Sequence, residues 1–312
     1  MGDAVVSLQA PRLRTRFTQL LGIDHPVVQE GLGPYKVVAL AAAVSNAGGL
    51  GTISIPGITE EPEAGSRKLR GYIEEACALT DRPLALNIPV GADKTGVVLP
   101  FSAAYLSAVR DAVKDSYIAK RLRVITTSAG APGIARPFIE PAGLLHMHKV
   151  GGTRQAVKAA QEGVDVIIAS GFEAGGHTHA RPVSTIILGP SVADVVDIPI
   201  VLAGGIRDGR GLAAALALGA DAVAMGTRFV ASHDNIDWDP AYAQRILNAK
   251  EGEDVVFSAI YGPSRVLPSA GLSELLRIME SGECTADELT GLKDQMLAKG
   301  HDFPDVTLVG VL

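Results

Sequence analysis

The sequence predicts an α/β fold: a barrel of eight parallel strands, each followed by a helix, with a small C-terminal appendage. Eight short, continuously apolar runs alternate with longer segments that have a helical pattern. Such runs are typical of parallel strands that are buried on both faces. The chain has 312 residues. A (β/α)8, or TIM, barrel takes ~250 residues, so this length leaves room for an appendage.

The strands and helices follow each other in the order that this barrel requires. The predicted strands are HPVVQ (25–29), GLGTISI (49–55), PLALNIPV (83–90), LRVITTS (122–128), LLHMHKV (144–150), VDVIIASG (164–171), IPIVLAGG (198–205) and DAVAMGT (221–227). Segments with a helical pattern include VVALAAAVSNAGG, SAAYLSAVRDAVKD, TRQAVKAAQEG and DGRGLAAALALGA. A doubly wound open sheet would instead place Gly-x-Gly-x-x-Gly after its first strand, and that pattern is missing.

The alternation of strands and helices ends after about residue 235. Residues 1–235 are therefore predicted to form the barrel, and 236–312 a mostly helical appendage packed on it, with a helix from Thr285 to Lys299. The last residues, DVTLVGVL (305–312), carry no polar tail, which predicts that the natural chain continues beyond them.

Charge and composition exclude several classes of protein. A net charge of −6 and a pI of about 5.7 argue against nucleic acid or an anionic membrane as a partner. No apolar run reaches the ~18 residues of a membrane span, and the N-terminus lacks the apolar core of a signal peptide. Only two cysteines occur, far apart, which predicts a reducing compartment and no thiolate metal site. We expect a cytoplasmic protein.

Two glycine-containing loops lie close together between Ala203 and Phe229. In a barrel, Gly204-Gly205 and Gly226-Thr227 would follow the seventh and eighth strands. Many TIM barrels bind phosphate there through backbone N–H groups and a helix N-terminus. Glycine allows a close backbone approach, and a threonine hydroxyl adds a donor. The loops therefore predict one phosphate site, although tight βα turns alone would also explain these glycines.

The loop after the sixth strand, SGFEAGGHTHARP (170–182), brings two histidines to the same end of the barrel. His177, beside two glycines, is the candidate general base or acid. His179 is a weaker candidate for a substrate contact. The His-x-His spacing also raises a metal site, but two histidines without a carboxylate are weak evidence for one, and we predict no metal.

The fifth strand raises the same question about a histidine pair. His146 and His148 share one face of that strand, which could point into the barrel or into the helical layer. Lys149, near the end of the strand, could neutralise an anionic ligand. A satisfied pair of core histidines and a surface lysine are the alternative interpretation.

Three motifs in order, LAAAVSNAGGLGTIS, VDVIIASGFEAGGHTH and IPIVLAGGIRDGRGLAAALALGADAVAMGTRF, resemble the nitronate monooxygenases, formerly called 2-nitropropane dioxygenases. That family also includes flavin-dependent enoyl-acyl-carrier-protein reductases and NADH:quinone reductases. The resemblance covers about residues 26–229 and implies FMN as the cofactor and His177 as the base. The residues that it implies for the flavin site are Gln29, Gly31, Asn87, Ser170, Gly175, Gly176, Gly204, Gly205, Ala224, Met225, Gly226 and Thr227.

The chain departs from the family pattern in three places. Gln29-Glu30-Gly31-Leu32 stands where the family usually has Gln-Ala-Pro-Met, and Ser170 stands where nitronate monooxygenases often have glutamine. Thr-His-Ala follows His177 where Arg-Gly is common. These departures bear on which reaction the resemblance implies more than on the implied barrel or FMN cofactor.

The resemblance implies oxidation of alkyl nitronates by O₂ as the leading function. The alternative within the family is an NAD(P)H-dependent reductase of a quinone or an enoyl thioester, with NAD(P)H as co-substrate. A dehydrogenase of the inosine-monophosphate type would need a cysteine in the loop after the sixth strand, and that loop has none. A non-catalytic barrel that binds a phosphorylated ligand is the alternative from a different class.

Overall fold

The computed structural model describes residues 13–33, 35–57, 61–92, 96–181, 183–259 and 262–282. It confirms the predicted barrel, because each of the eight apolar runs contains one strand of a parallel sheet. The barrel strands are β1 (Val27–Gln29), β2 (Gly51–Ser54), β3 (Leu84–Pro89), β4 (Leu122–Ser128), β5 (Leu145–Val150), β6 (Val166–Ser170), β8 (Ile200–Ala203) and β9 (Ala222–Met225); a smaller sheet contains β7 (Gly176–His177), β10 (Val255–Ala259) and β11 (Gly262–Val266).

Helices follow the barrel strands as the sequence pattern predicts. They are α1 (Arg16–Leu21), α2 (Val38–Asn46), α3 (Pro62–Leu79), α4 (Pro100–Ala112), α5 (Ser116–Ala119), α6 (Arg136–Ile139), α7 (Thr153–Gln161), α8 (Thr185–Ala193), α9 (Gly209–Ala217), α10 (Thr227–Val230), α11 (Pro240–Asn248) and α12 (Ala270–Ser281). Short 3₁₀ turns at Pro132–Ile134 and Glu140–Ala142 flank α6. None of the described helices is long and apolar enough to cross a membrane.

The sheet closes between its first two strands. The strands lie in the order β1, β9, β8, β6, β5, β4, β3, β2. A parallel bridge between Val28 and Leu50 joins the two ends, with hydrogen bonds of 2.9 Å from Gln29 N to Leu50 O and from Leu50 N to Val27 O. β1 and β5 are therefore four strands apart in either direction and face each other across the barrel.

Alternation along the strands divides the core into an interior and an outer layer. Small and medium side chains fill the interior, among them Val28, Ala85, Val124, Met147 and Val201. The residues between them pack outward against the helices in separate clusters. Successive strand residues point to opposite faces, so the runs are apolar throughout because both faces are buried.

Helix α1 covers the amino-terminal end of the barrel. Phe17 is fully buried against the interior cluster. Arg16 holds the helix in place through bonds of 2.8 and 2.7 Å from its guanidinium to the two carboxylate oxygens of Asp221, just before β9. Because this end is covered, the carboxyl ends of the strands form the accessible opening, which we call the mouth.

The segment after residue 235 contains, in its described part, α11, the β10–β11 hairpin and α12. β11 pairs with β7, which belongs to the loop after β6, so this segment reaches the mouth. The helix that the sequence predicts from Thr285 to Lys299 lies outside the described residues.

Replacing Gly51 with alanine is expected to lower the free energy of unfolding by about 3 kcal/mol or more, because overpacking of a rigid contact is costly. A Cβ on Gly51 would lie 1.8 Å from the carbonyl oxygen of Ala41 in α2, so helix and strand would have to separate. Urea denaturation measures the change. Gly71→Ala is the matched control: that glycine lies in α3 with nothing within 4 Å of its Cβ. Alanine there should stabilise by ~0.5–1 kcal/mol. Equal stability of Gly51→Ala and wild type would contradict the close packing of α2 on β2.

Candidate active site

Two charged side chains meet at the mouth from opposite sides of the barrel. Glu30 follows β1 and Lys149 is near the end of β5, and a 2.8 Å contact joins Lys149 Nζ to Glu30 Oε1. The side chains are only 12% and 24% exposed. Alternation explains their direction, since Val28 and Met147, two residues earlier, lie in the interior cluster. The positive charge that the sequence offers to an anionic ligand is therefore already paired with a carboxylate.

The second carboxylate oxygen of Glu30 has no hydrogen-bond partner among the described residues. Oε2 is buried, and the ion pair with Lys149 uses only Oε1. A buried acceptor without a donor costs ~1–3 kcal/mol, and more when it is charged. Glu30 Oε2 is therefore an acceptor that a bound molecule with an O–H or N–H group could satisfy.

Gln29 and Gly31 beside Glu30 are both tied into the protein. The Gln29 side chain is fully buried, accepts the Thr52 N–H at 2.9 Å and donates to the Glu30 carbonyl oxygen. It extends the hydrogen bonding between β1 and β2 where the barrel closes. A Cβ on Gly31 would lie 2.5 Å from Cβ of Asn87, so glycine there lets the chain pass over β3. The contact of Gln29 and Gly31 with a flavin is not tested by these packing contacts and stays a prediction.

Asn87 and Ser170 lie at the ends of β3 and β6 and are both buried. Alternation with the interior residues Ala85 and Ile168 directs both side chains toward the barrel axis. Asn87 Nδ2 donates to the Thr126 carbonyl oxygen at 3.3 Å, which fixes the orientation of its amide. These two polar side chains lie on the interior face at the mouth, where a ligand covering the opening would meet them.

The two glycine loops follow β8 and β9, as the sequence predicts. Gly204 and Gly205 have φ values of +107° and +70°, so glycine is required there by the backbone. Gly226 has φ −103° and precedes α10, whose first residue is Thr227. The backbone N–H groups of Gly205 and Gly226 donate to no described residue. Two donors on adjacent strand ends are thus available to an anion such as a phosphate.

The residues between and before these glycines belong to the barrel wall. Ala224 packs in the interior cluster, and Met225 packs outward against the helical layer. The Met225 carbonyl accepts the Glu30 N–H at 2.9 Å, which joins the loop after β9 to the loop after β1. The structure therefore brings the predicted phosphate loops next to Glu30.

Thr185 ties the loop after β6 to the loop after β8. Its backbone N–H donates to Glu173 Oε2 at 2.8 Å, and its hydroxyl lies 2.7 Å from the same oxygen. The hydroxyl also lies 3.0 Å from the Gly204 carbonyl oxygen. Glu173 consequently caps the start of α8 and does not point freely into the mouth.

His177 lies in the two-residue strand β7, and its side chain is exposed. The register places His177 opposite Ser264 and the buried Gly176 opposite Arg265 of β11. Thr178 N donates to the Pro263 carbonyl oxygen at 2.8 Å. The hairpin therefore holds this histidine in an extended backbone at the rim, while the adjacent Gly175 is exposed.

Arg265 fixes the beginning of the same loop. It forms an ion pair with Asp254, donates from Nε to the Phe172 carbonyl oxygen at 3.2 Å, and lies 4.5 Å from the centre of the Phe172 ring. A guanidinium over an aromatic face adds a cation–π attraction. The segment after residue 235 thus supports the His177 loop from outside the barrel.

His179 lies against the turn after β5. A Cβ on Gly151 would lie 1.9 Å from its Cδ2, so the ring sits directly over this glycine. Burial lowers the pKa of His179, and the nearby positive charge of Lys149 lowers it further. His179 is therefore neutral near pH 7 and can donate or accept a hydrogen bond without adding charge to the mouth.

His146 and His148 point into the helical layer, which answers the question that their spacing raises. They alternate with Met147 of the interior cluster, and both are buried. The hydroxyl oxygen of Thr127 lies 2.7 Å from His146 Nε2 and 2.7 Å from His148 Nδ1. Across the described part of the chain, no three His, Cys, Asp or Glu side chains are arranged to hold a metal ion.

Burial keeps both of these histidines uncharged. It lowers the pKa of His146 to about 3, with further lowering by the charges of His148 and Arg136. It lowers the pKa of His148 to about 4, although the charge of Glu162 opposes the shift. In an unfolded chain both pKa values return to ~6.5. The unfolded state therefore binds more protons between pH 6.5 and pH 4, and stability is lost as the pH falls through that window.

Between pH 8 and pH 5 we expect these two residues to remove roughly 2 kcal/mol each from the free energy of unfolding. Urea denaturation at several pH values measures this. His148→Gln should lose about half of the pH dependence, since a glutamine cannot be protonated in either state. His233→Gln is the control, because His233 is exposed on the surface. An unchanged pH slope in His148→Gln would show that this group does not stay neutral in the folded protein.

Two residues that contribute to this site, Glu30 and Arg265, are not predicted by the sequence motifs. A signal for Glu30 exists: it is a charged residue directly after a buried strand, in phase with Val28, as Lys149 is with Met147. Arg265 carries no such signal, because its partner Phe172 is 93 positions away. Two surface depressions, of about 460 and 230 Å³, lie elsewhere, beside α7 and between α2 and α10.

Eight-stranded barrels carry their reactive groups at the carboxyl ends of the strands, which is where Glu30, Asn87, Lys149, Ser170 and His177 lie. The fold and the site therefore define a barrel enzyme. The chain belongs to the nitronate monooxygenase family, whose sequence profile matches residues 14–305. It is consequently an oxidoreductase, and a barrel that merely binds a phosphorylated ligand is excluded. The family is one of flavoenzymes, which implies a flavin cofactor.

Similar proteins within the family carry different names. A Mycobacterium tuberculosis enzyme named (3aS,4S,5R,7aS)-5-hydroxy-7a-methyl-1-oxo-octahydro-1H-indene-4-carboxyl-CoA dehydrogenase is 38% identical over 87% of this chain and 70% of its own length. The enzyme of the same name from Rhodococcus jostii is 40% identical over 72% of this chain and 57% of its own length. A probable nitronate monooxygenase of Staphylococcus saprophyticus is 32% identical over 81% of this chain and 78% of its own length.

A solved structure confirms the architecture. FabK from Thermotoga maritima aligns with a TM-score of 0.79 at 33% identity, over 96% of this chain and 89% of that one. The barrel expected from the sequence is thus shared with an experimentally known relative.

Proposed function

We propose that this chain is an FMN-dependent oxidoreductase whose flavin lies across the mouth of the barrel. The observation that carries this proposal is the pair of N–H groups at Gly205 and Gly226 that donate to no described residue, on loops that also contain Gly204 and Thr227. A phosphate monoester fits two amide donors on neighbouring strand ends, one of them at a helix start. A dinucleotide cofactor would call for a glycine fingerprint that the sequence lacks.

The remaining predicted residues would surround the ring system of the flavin. Asn87 and Ser170 offer polar contacts from the interior face, and Gln29, Gly31, Gly175 and Gly176 supply the adjacent backbone. Ala224 and Met225 would lie with Gly226 and Thr227 at the phosphate end. When bound, the flavin supplies the capacity to accept or donate a hydride or single electrons. The protein positions the substrate against it and keeps water from the mouth through the closely packed loops after β6, β8 and β9.

The substrate class that we favour is an acyl thioester, with NAD(P)H as the source or acceptor of reducing equivalents. The two relatives of 38% and 40% identity are named as dehydrogenases of a carboxyl-CoA compound. The site agrees with a neutral reacting carbon, because the charge of Lys149 is balanced by Glu30. His177, held at the rim by β11, would exchange the proton that accompanies hydride transfer.

Oxidation of nitronates by O₂ is the second candidate. The family name, the Staphylococcus saprophyticus relative and the position of His177 on the rim support it. In that reaction His177 would remove the α-proton of a nitroalkane, and preformed nitronate would not need this step.

The experiment that tests the proposed function uses the purified protein with its own cofactor. The protein should be yellow, and the flavin released on denaturation should be FMN and not FAD. Anaerobic NADH or NADPH should bleach it within seconds, and crotonyl-CoA should then restore the oxidised spectrum. Colourless protein that takes up no added FMN would refute the proposal. Fast turnover of ethyl nitronate under air, without bleaching by NAD(P)H, would establish the second candidate instead.

A further inference from the structure

Glu30 and Lys149 form a charged bridge over the barrel interior. Their strands, β1 and β5, face each other, so the 2.8 Å contact between Lys149 Nζ and Glu30 Oε1 spans the opening. The apolar residues Val28 and Met147 lie directly beneath. A molecule that enters the mouth must therefore lie against this pair.

The two carboxylate oxygens of Glu30 differ in their hydrogen bonding. Glu30 Oε1 is occupied by the ammonium group, whereas the buried Oε2 has no donor in the described protein. A buried carboxylate oxygen of this kind is satisfied by an O–H or N–H group and disfavours another acceptor or an anion. The unused position accordingly selects for a hydrogen-bond donor.

The surrounding charges point the same way. Lys149 is compensated by Glu30, and the neighbouring His179 adds no positive charge near pH 7, because burial and Lys149 both lower its pKa. A small anion entering the mouth would meet the carboxylate of Glu30, and Lys149, its counter-ion among the described residues, is already engaged. Like charges in a partly buried site repel more strongly than in water.

We propose that Glu30 is a specificity-determining residue, whose Oε2 accepts a hydrogen bond from a hydroxyl or amide N–H group on the uncharged reacting end of the substrate and, with Lys149, disfavours an anionic group there. This inference rests on the proposed function in placing the substrate at the mouth. Among thioesters, it favours those that carry a hydroxyl or N–H group near the reacting carbon.

Binding of small probes to the FMN-loaded protein tests the inference without turnover. The probes are nitrite, as a planar anion, and the pair cyclohexanol and cyclohexanone, which differ in the O–H donor. Ligand-observed NMR titration gives their dissociation constants. Wild type should bind cyclohexanol at least 10-fold more tightly than cyclohexanone and should bind nitrite poorly. Glu30→Gln should lose most of the preference for the alcohol, because an amide is a weaker acceptor, and should bind nitrite about 10-fold more tightly, because Lys149 is released.

Two further variants keep the test decisive. The double change Glu30→Gln with Lys149→Met removes both charges, so it should lose the alcohol preference without gaining affinity for nitrite; it also removes the unpaired lysine if Glu30→Gln alone folds poorly. Glu74→Gln breaks the exposed Arg70–Glu74 pair on α3 and should behave as wild type. Unchanged selectivity in Glu30→Gln would overturn the inference.

The affinity for FMN shows whether the hydrogen-bond donor to Glu30 Oε2 belongs to the substrate or to the cofactor. If Glu30→Gln weakens FMN binding 10-fold while the selectivity among the probes is unchanged, Oε2 bonds the cofactor and the inference is wrong. If the selectivity among the probes is as expected but the protein turns over no thioester, the inference about Glu30 stands and only the proposed thioester substrate is refuted.

Discussion

Replacing Gly226 with valine is expected to weaken FMN binding by more than 10-fold and to leave the free energy of unfolding within about 1 kcal/mol of wild type. The backbone of Gly226 has φ −103°, outside the positive range that favours glycine. A Cβ there would lie 3.4 Å from Leu32 Cδ2 and 3.9 Å from Glu30 Cβ, which is ordinary contact. The branched methyl groups of valine would nevertheless stand beside the free N–H group and hinder a phosphate.

Gly226 is better suited to this test than Gly205, because a substitution there separates an effect on binding from an effect on folding. Gly205 offers the second free N–H group, but its φ of +70° means that any side chain would strain the backbone and confuse folding with binding. Gly226→Ala is the matched control, since it adds only the tolerated Cβ and should retain most of the flavin. Flavin occupancy after dialysis and urea denaturation give the two measurements. Full occupancy in Gly226→Val would place the phosphate elsewhere.

The barrel could be predicted because each of its strands is a continuous apolar run. Strands that are covered on both faces show no polar alternation, so the runs stand out between amphipathic helices. The ends are less well predicted. The run 198–205 continues through two glycines, whereas β8 ends at Ala203, because Gly204 and Gly205 adopt positive φ values that no strand allows.

The small sheet could not be predicted from the sequence. β7 has only two residues, and its partner Ser264 is far along the chain from His177, so no local pattern indicates the pairing. What positions His177 is therefore tertiary structure: the hairpin pairing and the contacts of Arg265 with Phe172. The sequence predicts that a histidine lies in this loop, but it does not predict which residues hold that histidine in place.

The direction of the histidines on β5 is an intermediate case. The spacing of His146 and His148 shows that they share a face, and only the placement of Met147 in the barrel interior shows which face it is. The same alternation puts Lys149 in the mouth. Together with the phase of Glu30 after Val28, it would have predicted the ion pair once the order of strands was known.

His177→Asn should reduce turnover of a neutral nitroalkane by ~10²–10⁴-fold if this histidine removes the α-proton, the usual contribution of a positioned general base. Preformed nitronate has already lost that proton, so its oxidation should fall by much less. FMN content should not change, because β7 lies at the rim, and the glycine loops after β8 and β9 would hold the phosphate. The measurements are initial rates with both substrates under air and NADH consumption in parallel.

The activity that His177→Asn loses on each substrate distinguishes the possible roles of His177. Equal loss on nitroalkane and nitronate would show that His177 binds substrate or shapes the mouth and does not act solely as a base. Rapid NADH oxidation by wild type, with no activity on either nitro compound, would assign the chain to the reductase and dehydrogenase branch. In that branch His177→Asn should slow the reaction with the thioester and not the reduction by NADH, because His177 would exchange its proton only in the half-reaction in which C–H bonds of the thioester form or break. Ser264→Ala, which keeps the backbone pairing opposite His177, is the matched control for loss through the loop alone.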